Sequence, residues 1–306
     1  MNEQTPDLVA RAAARLRQAA TSAAPIPAPV APASAVHAPP ATPLPPAVRQ
    51  PQPEYRSKLI NVDRGALART GASVAGSART RTSEEFRIIK RQVVLGARPQ
   101  PNAEVGQRSG RLIMVTSTKP REGKTFTAVN LALSLASEQD IRVLLVDVDL
   151  HRKSLTEMFG ISGELGWVDL LADNKVGFPD ALLRTNIPNL SLLPAGRAAE
   201  DLPELLSSKR TAALLAEMSE RYADRFIIFD APPCMASSEP SILAGLVGQT
   251  IFVVEAHKTE REEIEAALRL ISGCANISLM LNKADTHNLE EFGSYSTYYA
   301  PEGRLS

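Results

Sequence analysis

A polar run between two apolar segments has the composition of a phosphate-binding loop. It follows the apolar run Leu112–Thr116, opens an amphipathic segment, and reads Thr118-Lys119-Pro120-Arg121-Glu122-Gly123-Lys124-Thr125. In such loops the backbone N–H groups bind phosphate oxygens, glycine permits close approach, and a lysine reaches the β- and γ-phosphates. Gly123 and Lys124 suit these roles, and Thr125 suits a Mg²⁺ ligand. The residues predicted to contact nucleotide here are Lys119, Pro120, Arg121, Glu122, Gly123, Lys124, Thr125 and Phe126.

Three aspartates end two further apolar runs, at Asp147, Asp149 and Asp230. The carboxyl ends of parallel strands border the crevice in which open α/β sheets bind ligands. Magnesium on a nucleotide takes oxygen ligands, usually one or two carboxylates together with phosphates and water. The aspartates therefore point to a Mg-nucleotide site, with Thr125, Asp149 and Asp230 as metal ligands. The predicted catalytic residues are Lys124, Asp147, Asp149 and Asp230.

A third sequence feature concerns the base of the nucleotide. Asn282-Lys283-Ala284-Asp285 matches the Asn-Lys-x-Asp pattern that binds guanine in GTPases. The match covers four positions, of which one is free. Two interpretations therefore stay open. One is a GTPase, and the other is a simple turn at a strand end in which Asn282 contacts the base.

The elements that would position these residues alternate along residues 111–285. Short runs rich in Val, Ile and Leu are separated by amphipathic stretches, which predicts a doubly wound, mainly parallel α/β sheet of the P-loop NTPase type. The predicted strands are Leu112–Thr116, Val143–Val148, Leu190–Leu193, Phe226–Phe229, Ile251–Val254 and Ile277–Leu281. The predicted helices are Thr125–Ala136, Pro203–Tyr222 and Arg261–Ile271.

The rest of the chain of 306 residues has a different composition. Residues 1–20 suggest a short Ala-rich helix, and residues 21–53 hold 11 of the 23 prolines, typical of an extended, largely disordered linker. Residues 54–110 are basic and contain a predicted helix near 83–95, capped by Ser83. Residues 286–306 form a polar tail, predicted to be flexible.

Charge and cysteine content narrow the function classes. Basic and acidic residues number 34 each, which argues against a general nucleic-acid binder. Two cysteines exclude a disulfide scaffold and suit a reducing compartment. No apolar run has the length of a membrane span. The sequence thus predicts a soluble, cytoplasmic protein.

With these motifs assembled, the chain resembles the bacterial tyrosine kinases (BY-kinases) of capsule and exopolysaccharide export, and most of all the exosortase-associated tyrosine autokinases. Pro120–Thr125 fits the family's P-loop, Leu144–Asp149 its second Walker-type motif, and Asp230–Pro233 its Walker B motif. Two positions differ: Thr118 replaces the first glycine of the P-loop pattern, and His151 stands where the family often has arginine.

The resemblance implies ATP and Mg²⁺ as cofactors and autophosphorylation of a tyrosine cluster, here Tyr295, Tyr298 and Tyr299. It also implies a ring-like homo-oligomer built through a Glu-x-x-Arg-x-x-Arg motif. Glu84 and Arg87 match this motif, and Lys90 stands in place of its final arginine. Its implied partners are a membrane-embedded polysaccharide copolymerase as activator and a cognate tyrosine phosphatase. The protein would then associate peripherally with the inner membrane through its partner.

The mechanism expected from the resemblance is phosphoryl transfer in trans, with Asp147 orienting or deprotonating the acceptor phenol. Two rivals stay open beside the GTPase. A MinD/ParA-like dimer-switch ATPase would use Lys119 as its signature lysine, although Pro120 replaces the glycine usual after it. A nucleotide-sensing, non-catalytic adaptor is the other.

Overall fold

The computed structural model describes residues 57–74, 80–98, 108–150, 152, 154–197 and 202–284. Within these ranges, eight strands form one sheet. They are β1 (Leu59–Ile60), β2 (Leu112–Ser117), β3 (Arg142–Asp147), β4 (Leu183–Thr185), β5 (Leu190–Leu193), β6 (Arg225–Asp230), β7 (Gln249–Glu255) and β8 (Ile277–Asn282).

The sheet runs in the order β1-β4-β5-β3-β6-β2-β7-β8. Neighbouring strands are parallel except β4 and β5, which pair antiparallel. Every residue of the central strands β2, β6 and β7 is buried. Continuous burial explains their unbroken apolar sequences, because a parallel sheet is covered on both faces. The predicted doubly wound α/β sheet is therefore confirmed.

Helices cover the two faces of the sheet. Those in the described ranges are α1 (Arg64–Arg69), α2 (Arg81–Gly96), α3 (Lys124–Ala136), α4 (Ser154–Phe159), α5 (Trp167–Ala172), α6 (Phe178–Ala181), α7 (Leu202–Ser207), α8 (Lys209–Arg221), α9 (Glu239–Ala244) and α10 (Arg261–Leu270). Side chains of α1–α4 share one apolar core with the sheet, and those of α5–α10 share the other. The helix that opens at the polar loop, α3, lies in the centre of its layer, which explains why ten of its 13 residues are buried.

Three local predictions were wrong in detail. The single helix expected over Pro203–Tyr222 is two helices, since the Ser208 side chain caps a new helix by accepting from Thr211 N. The 83–95 helix starts at Arg81 and its cap is Thr80, with Ser83 as the third helical residue of the capping box. Strands β1 and β4 were not anticipated.

Several predictions lie outside the described residues. These are the helix over 1–20, the 21–53 linker, His151, Asp285 and the tail with its three tyrosines. Within the described part of the chain, none of the helices has the length and apolar character needed to cross a lipid bilayer.

Candidate active site

The polar loop joins the end of β2 to the start of α3, as its sequence predicts. Gly123 immediately precedes α3 with φ of 105°, and its carbonyl accepts the first helical bond, from Thr127 N at 2.9 Å. A Cβ atom at position 123 would lie 2.0 Å from Asn282 Nδ2, which is too close for any residue but glycine. Glycine is needed here both for the left-handed backbone and for the close approach of β8. Since the first N–H groups of a helix have no intrahelical partner, the start of α3 at this loop is where an anion would bind.

Lys124 and Asp149 form a buried ion pair at this loop. Lys124 Nζ lies 2.5 Å from Asp149 Oδ2, and the two side chains are 5% and 2% exposed. The second oxygen of Asp149 accepts from Arg152 N at 3.2 Å. Both oxygens of Asp149 are thus engaged, whereas its place in the sequence predicts a metal ligand. Before Asp149 could bind a cation, its contact with Lys124 would have to loosen.

Asp147 and Asp230 lie side by side at the ends of β3 and β6. The two residues are direct partners in the strand pairing, and each is 1% exposed. Burial raises the pKa of Asp147 well above its usual range, and the neighbouring charge of Asp230 adds to this. Burial also raises the pKa of Asp230 to about 6, although the charge of Lys124 and a hydrogen bond from Thr125 oppose the shift. Asp230 can therefore take up and release a proton near pH 6, and Asp147 holds its proton to a higher pH than a solvated aspartate does.

Apolar side chains explain why Asp147 is so poorly solvated. A small cavity beside it is lined by Leu145, Asp147, Leu155, Thr156, Phe159, Ile161, Leu192, Leu193 and Pro194. Most of these are hydrocarbon groups from β3, β5 and α4, which cannot replace the hydration of a carboxylate. The covering of Asp147 by α4 could not be deduced from the Asp-x-Asp motif itself.

The donor set fits a nucleotide-bound Mg²⁺ better than a free cation. Asp147 Oδ2 and Asp230 Oδ1 are buried without a hydrogen-bond partner among the described residues, so each has an oxygen to offer a ligand. Yet no group of three acidic, histidine or cysteine side chains in the described ranges could enclose a metal by itself. Thr125 and Asp230 would therefore hold Mg²⁺ together with phosphate oxygens and water, which is the usual arrangement for this ion.

Glu122 has a role that sequence reasoning missed. Its buried carboxylate accepts from Lys119 N at 2.7 Å and from Thr259 Oγ1 at 2.5 Å. The side chain thus holds the loop closed on itself and to the segment after β7. The glutamate directly before Gly-Lys was the available signal, since a charged residue inside a buried turn needs partners.

Lys119, the residue on which the dimer-switch rival depends, is paired within its own subunit. Its ammonium forms an ion pair with Glu263 of α10, and this contact raises the pKa of Lys119. The side chain is still 47% exposed. Because exposed pairs of this kind are worth little, the contact does not fix the lysine in place.

The other predicted contact residues divide between loop and core. Pro120 and Arg121 form the exposed turn of the loop. Phe126 turns away from it, with its ring packed edge-on against Phe86 of α2 at 6.0 Å between centroids. The aromatic pair joins α2 to α3, so a contact of Phe126 with nucleotide would have to use its backbone.

Asn282 reaches the loop from the end of β8, although the sequence suggested a contact with the base. Its Nδ2 donates to Glu122 O at 2.8 Å. The adjacent Lys283 donates to Arg121 O at 2.7 Å. The Asn-Lys dipeptide therefore contacts the backbone of the phosphate loop.

The three residues of the predicted oligomer motif lie along α2 and make contacts within the subunit. Arg87 binds both oxygens of Glu84 one turn earlier. Lys90 is paired with Glu138, just beyond the end of α3, and its side chain is 13% exposed. Glu84 and Arg87 are the more accessible members, so an interface through this helix would use them first.

The raised pKa of Asp230 predicts a pH-dependent stability. A carboxyl group whose pKa is higher in the folded protein contributes stability at low pH, and this contribution is lost as the pH rises through about 6. We compare the free energy of unfolding of Asp230→Asn with that of the wild type at two pH values. The variant's advantage should be about 3 kcal/mol larger at pH 8 than at pH 4, because the pKa of Asp230 is raised by about two units. Urea unfolding of the nucleotide-free proteins measures this. An equal difference at both pH values would contradict it.

Comparison with known proteins gives a family. The family model described as an AAA domain matches residues 110–272. Tyrosine-protein kinase YwqD of Bacillus subtilis is 27% identical over 240 residues, covering 78% of this chain and 96% of that protein. Putative tyrosine-protein kinase CapB of Staphylococcus aureus is 27% identical over 222 residues, covering 72% and 91%. Among solved structures, the VpsO kinase domain is 31% identical with a TM-score of 0.52, covering 66% of this chain and 99% of that domain. Since the family model spans more than half of the chain, the protein belongs to the AAA-domain family, and within it to the bacterial tyrosine-protein kinases.

Proposed function

We propose that the protein is an ATP- and Mg²⁺-dependent autokinase that phosphorylates tyrosines of its own C-terminal tail. The observation that carries the proposal is the buried cluster in which Lys124, Asp147 and Asp230 converge beside the phosphate loop. The cluster combines a cation for the transferred phosphoryl group with a carboxyl pair that can exchange a proton.

The residues would act through positioning and charge. Lys124 exchanges Asp149 for the β- and γ-phosphates, and the loop N–H groups bind the same oxygens. Asp147, as carboxylate, orients the phenol and accepts its proton as the bond from phosphorus to the leaving ADP oxygen breaks and the bond to the phenol oxygen forms. A phenol with a pKa near 10 needs this assistance at neutral pH. Thr125 and Asp230 would hold Mg²⁺, which would supply neutralisation of charge on the phosphates.

The acceptors in this proposal are Tyr295, Tyr298 and Tyr299, supplied in trans within a ring-like oligomer. Each phosphate would add about −1.5 to −2 charge to the tail. Repulsion between phosphorylated tails would then weaken the ring. The Glu84 and Arg87 face of α2 is the proposed contact between neighbouring subunits.

The biological setting rests on the family resemblance. We propose that the kinase regulates exopolysaccharide synthesis or export, that a membrane-embedded polysaccharide copolymerase activates it, and that a cognate tyrosine phosphatase resets it. The basic N-terminal third, residues 1–110, and the helix predicted within residues 1–20 are the proposed contacts with the activator or with anionic lipid.

Mapping of phosphotyrosine tests the proposal. Purified protein is incubated with Mg-ATP, with and without a membrane fraction that supplies the activator, and phosphopeptides are identified by mass spectrometry. We expect phosphate on the tail of the wild type and its loss in the Tyr295→Phe/Tyr298→Phe/Tyr299→Phe variant. ATP hydrolysis without phosphotyrosine in both preparations would favour the MinD/ParA-like switch. Competition between ATP and GTP tests the GTPase alternative.

A further inference from the structure

The end of β8 holds two carbonyl groups of the phosphate loop. Lys283 Nζ donates to Arg121 O at 2.7 Å, and Asn282 Nδ2 donates to Glu122 O at 2.8 Å. These carbonyls belong to consecutive residues directly before Gly123. Because both are drawn towards β8, the following N–H groups are left to face the opposite side, where phosphates would bind.

The backbone that these contacts hold is strained. Arg121 has φ of 72° and Gly123 has φ of 105°, so both lie in the left-handed region. Glycine adopts this conformation freely, whereas arginine does so only at an energetic cost. A loop that adopts the left-handed conformation before nucleotide binds therefore needs contacts that outweigh the strain at Arg121.

Lys283 is itself held in place from the sheet. Its ammonium lies 3.1 Å from Glu255 Oε2, at the end of β7. The other oxygen of Glu255 is paired with Lys258, which makes no contact with the loop. Lys283 thus links the last two strands to Arg121, and Lys258 offers a matched lysine on the same carboxylate.

We propose that Asn282 and Lys283 are positioning residues that hold the phosphate loop in its anion-binding conformation before nucleotide arrives. This inference rests on the proposed nucleotide site. It explains the Asn-Lys pair without guanine recognition, since the amide N–H₂ of Asn282 already binds the loop.

Substitution of Lys283 tests the inference. Its side chain is 46% exposed, so Lys283→Gln leaves the core intact. We expect MgADP to bind about tenfold more weakly, with a raised KM for ATP and a nearly unchanged kcat. The reason is that part of the binding free energy of the nucleotide is then used to order the loop. Lys258→Gln is the control and should bind MgADP as the wild type does.

The strain at Arg121 allows a rescue experiment. In the Lys283→Gln background, Arg121→Gly relieves the strain and should restore most of the lost MgADP affinity. Arg121→Ala removes the same side chain but keeps the Cβ, so it should not restore affinity. Equal effects of the glycine and alanine variants would overturn the inference.

Hydrogen–deuterium exchange of the nucleotide-free proteins gives a second readout that needs no ligand. The amide of Lys119 is hydrogen-bonded to Glu122 and reports on the loop. Exchange over residues 117–127 should be faster in Lys283→Gln than in wild type or Lys258→Gln. Unchanged exchange would overturn the inference, whereas failure of the wild type to bind MgADP would count against the proposed function.

Discussion

Lys124→Met is expected to reduce tail phosphorylation at least about 100-fold, because it removes the cation that neutralises the transferred phosphoryl group. Lys124 is the buried ammonium at the start of α3 and lies 2.5 Å from Asp149. Its replacement leaves the N–H groups at the start of α3 and the two exposed cations of the loop, Lys119 and Arg121. The rate is measured as phosphotyrosine formed with time at saturating Mg-ATP.

The same substitution has a structural consequence that must be separated from the chemical one. Asp149 is 2% exposed, and without Lys124 it becomes an uncompensated buried charge, which typically costs about 3–5 kcal/mol. Circular dichroism and thermal unfolding show whether the variant is folded at the assay temperature. Lys175→Met, at an exposed lysine after α5, is the matched control. A folded Lys124→Met variant that retained more than a tenth of the rate would exclude the proposed role of Lys124.

Asp147→Asn is expected to lower kcat by about 10²–10⁴-fold, the range that a positioned general base supplies. Asparagine keeps the shape and the hydrogen bond that Asp147 Oδ1 accepts from Asp149 N, but it cannot take a proton from the phenol. Affinity for MgADP should therefore change little, since the loop and Lys124 are untouched. Rapid quench measures kcat, and calorimetry measures the binding.

Stability offers an independent check on Asp147. Burial raises the pKa of this carboxyl group, so its contribution to stability is present at low pH and is lost as the pH rises. At pH 8 the nucleotide-free Asp147→Asn variant should consequently be more stable than wild type, although it is nearly inactive. A variant that loses activity and also stability at pH 8 would indicate a structural role. A variant that keeps its kcat would exclude Asp147 as the base.

The central sheet could be predicted from sequence because burial on both faces demands continuous apolar residues. The predicted Leu112–Thr116 and Phe226–Phe229 differ from β2 and β6 by one residue at one or both ends. Strands β1 and β4 escaped prediction because they have two and three residues, and such lengths show no periodicity. The break at Ser208 was missed because the apolar pattern continues across it, and the cap depends on one hydroxyl.

For the site, sequence indicated which residue types meet but not which partner each one takes. Strand ends brought Asp147 and Asp230 together, as parallel pairing requires. The Lys124–Asp149 contact and the links from Glu122 to Thr259 depend on side-chain directions across segments that lie far apart in the chain. Motif spacing carries no information on such contacts. The pattern Asn282–Asp285 does not indicate which partner the Asn282 amide takes, because an amide that suits a purine edge suits a peptide carbonyl equally well.

Among the described residues, the two edge strands of the sheet differ in length. One edge strand is β1, whose two residues offer few free peptide groups. The other is β8, whose six residues carry no charged side chain and expose Leu279 and Leu281 by 60% and 63%. Uncharged edge strands, whose outer side has no partner strand in the described part of the sheet, are templates for strand addition between molecules. The β8 edge is therefore where non-native aggregation would begin, and a lysine at position 279 or 281 is the substitution most suited to improving solubility during purification.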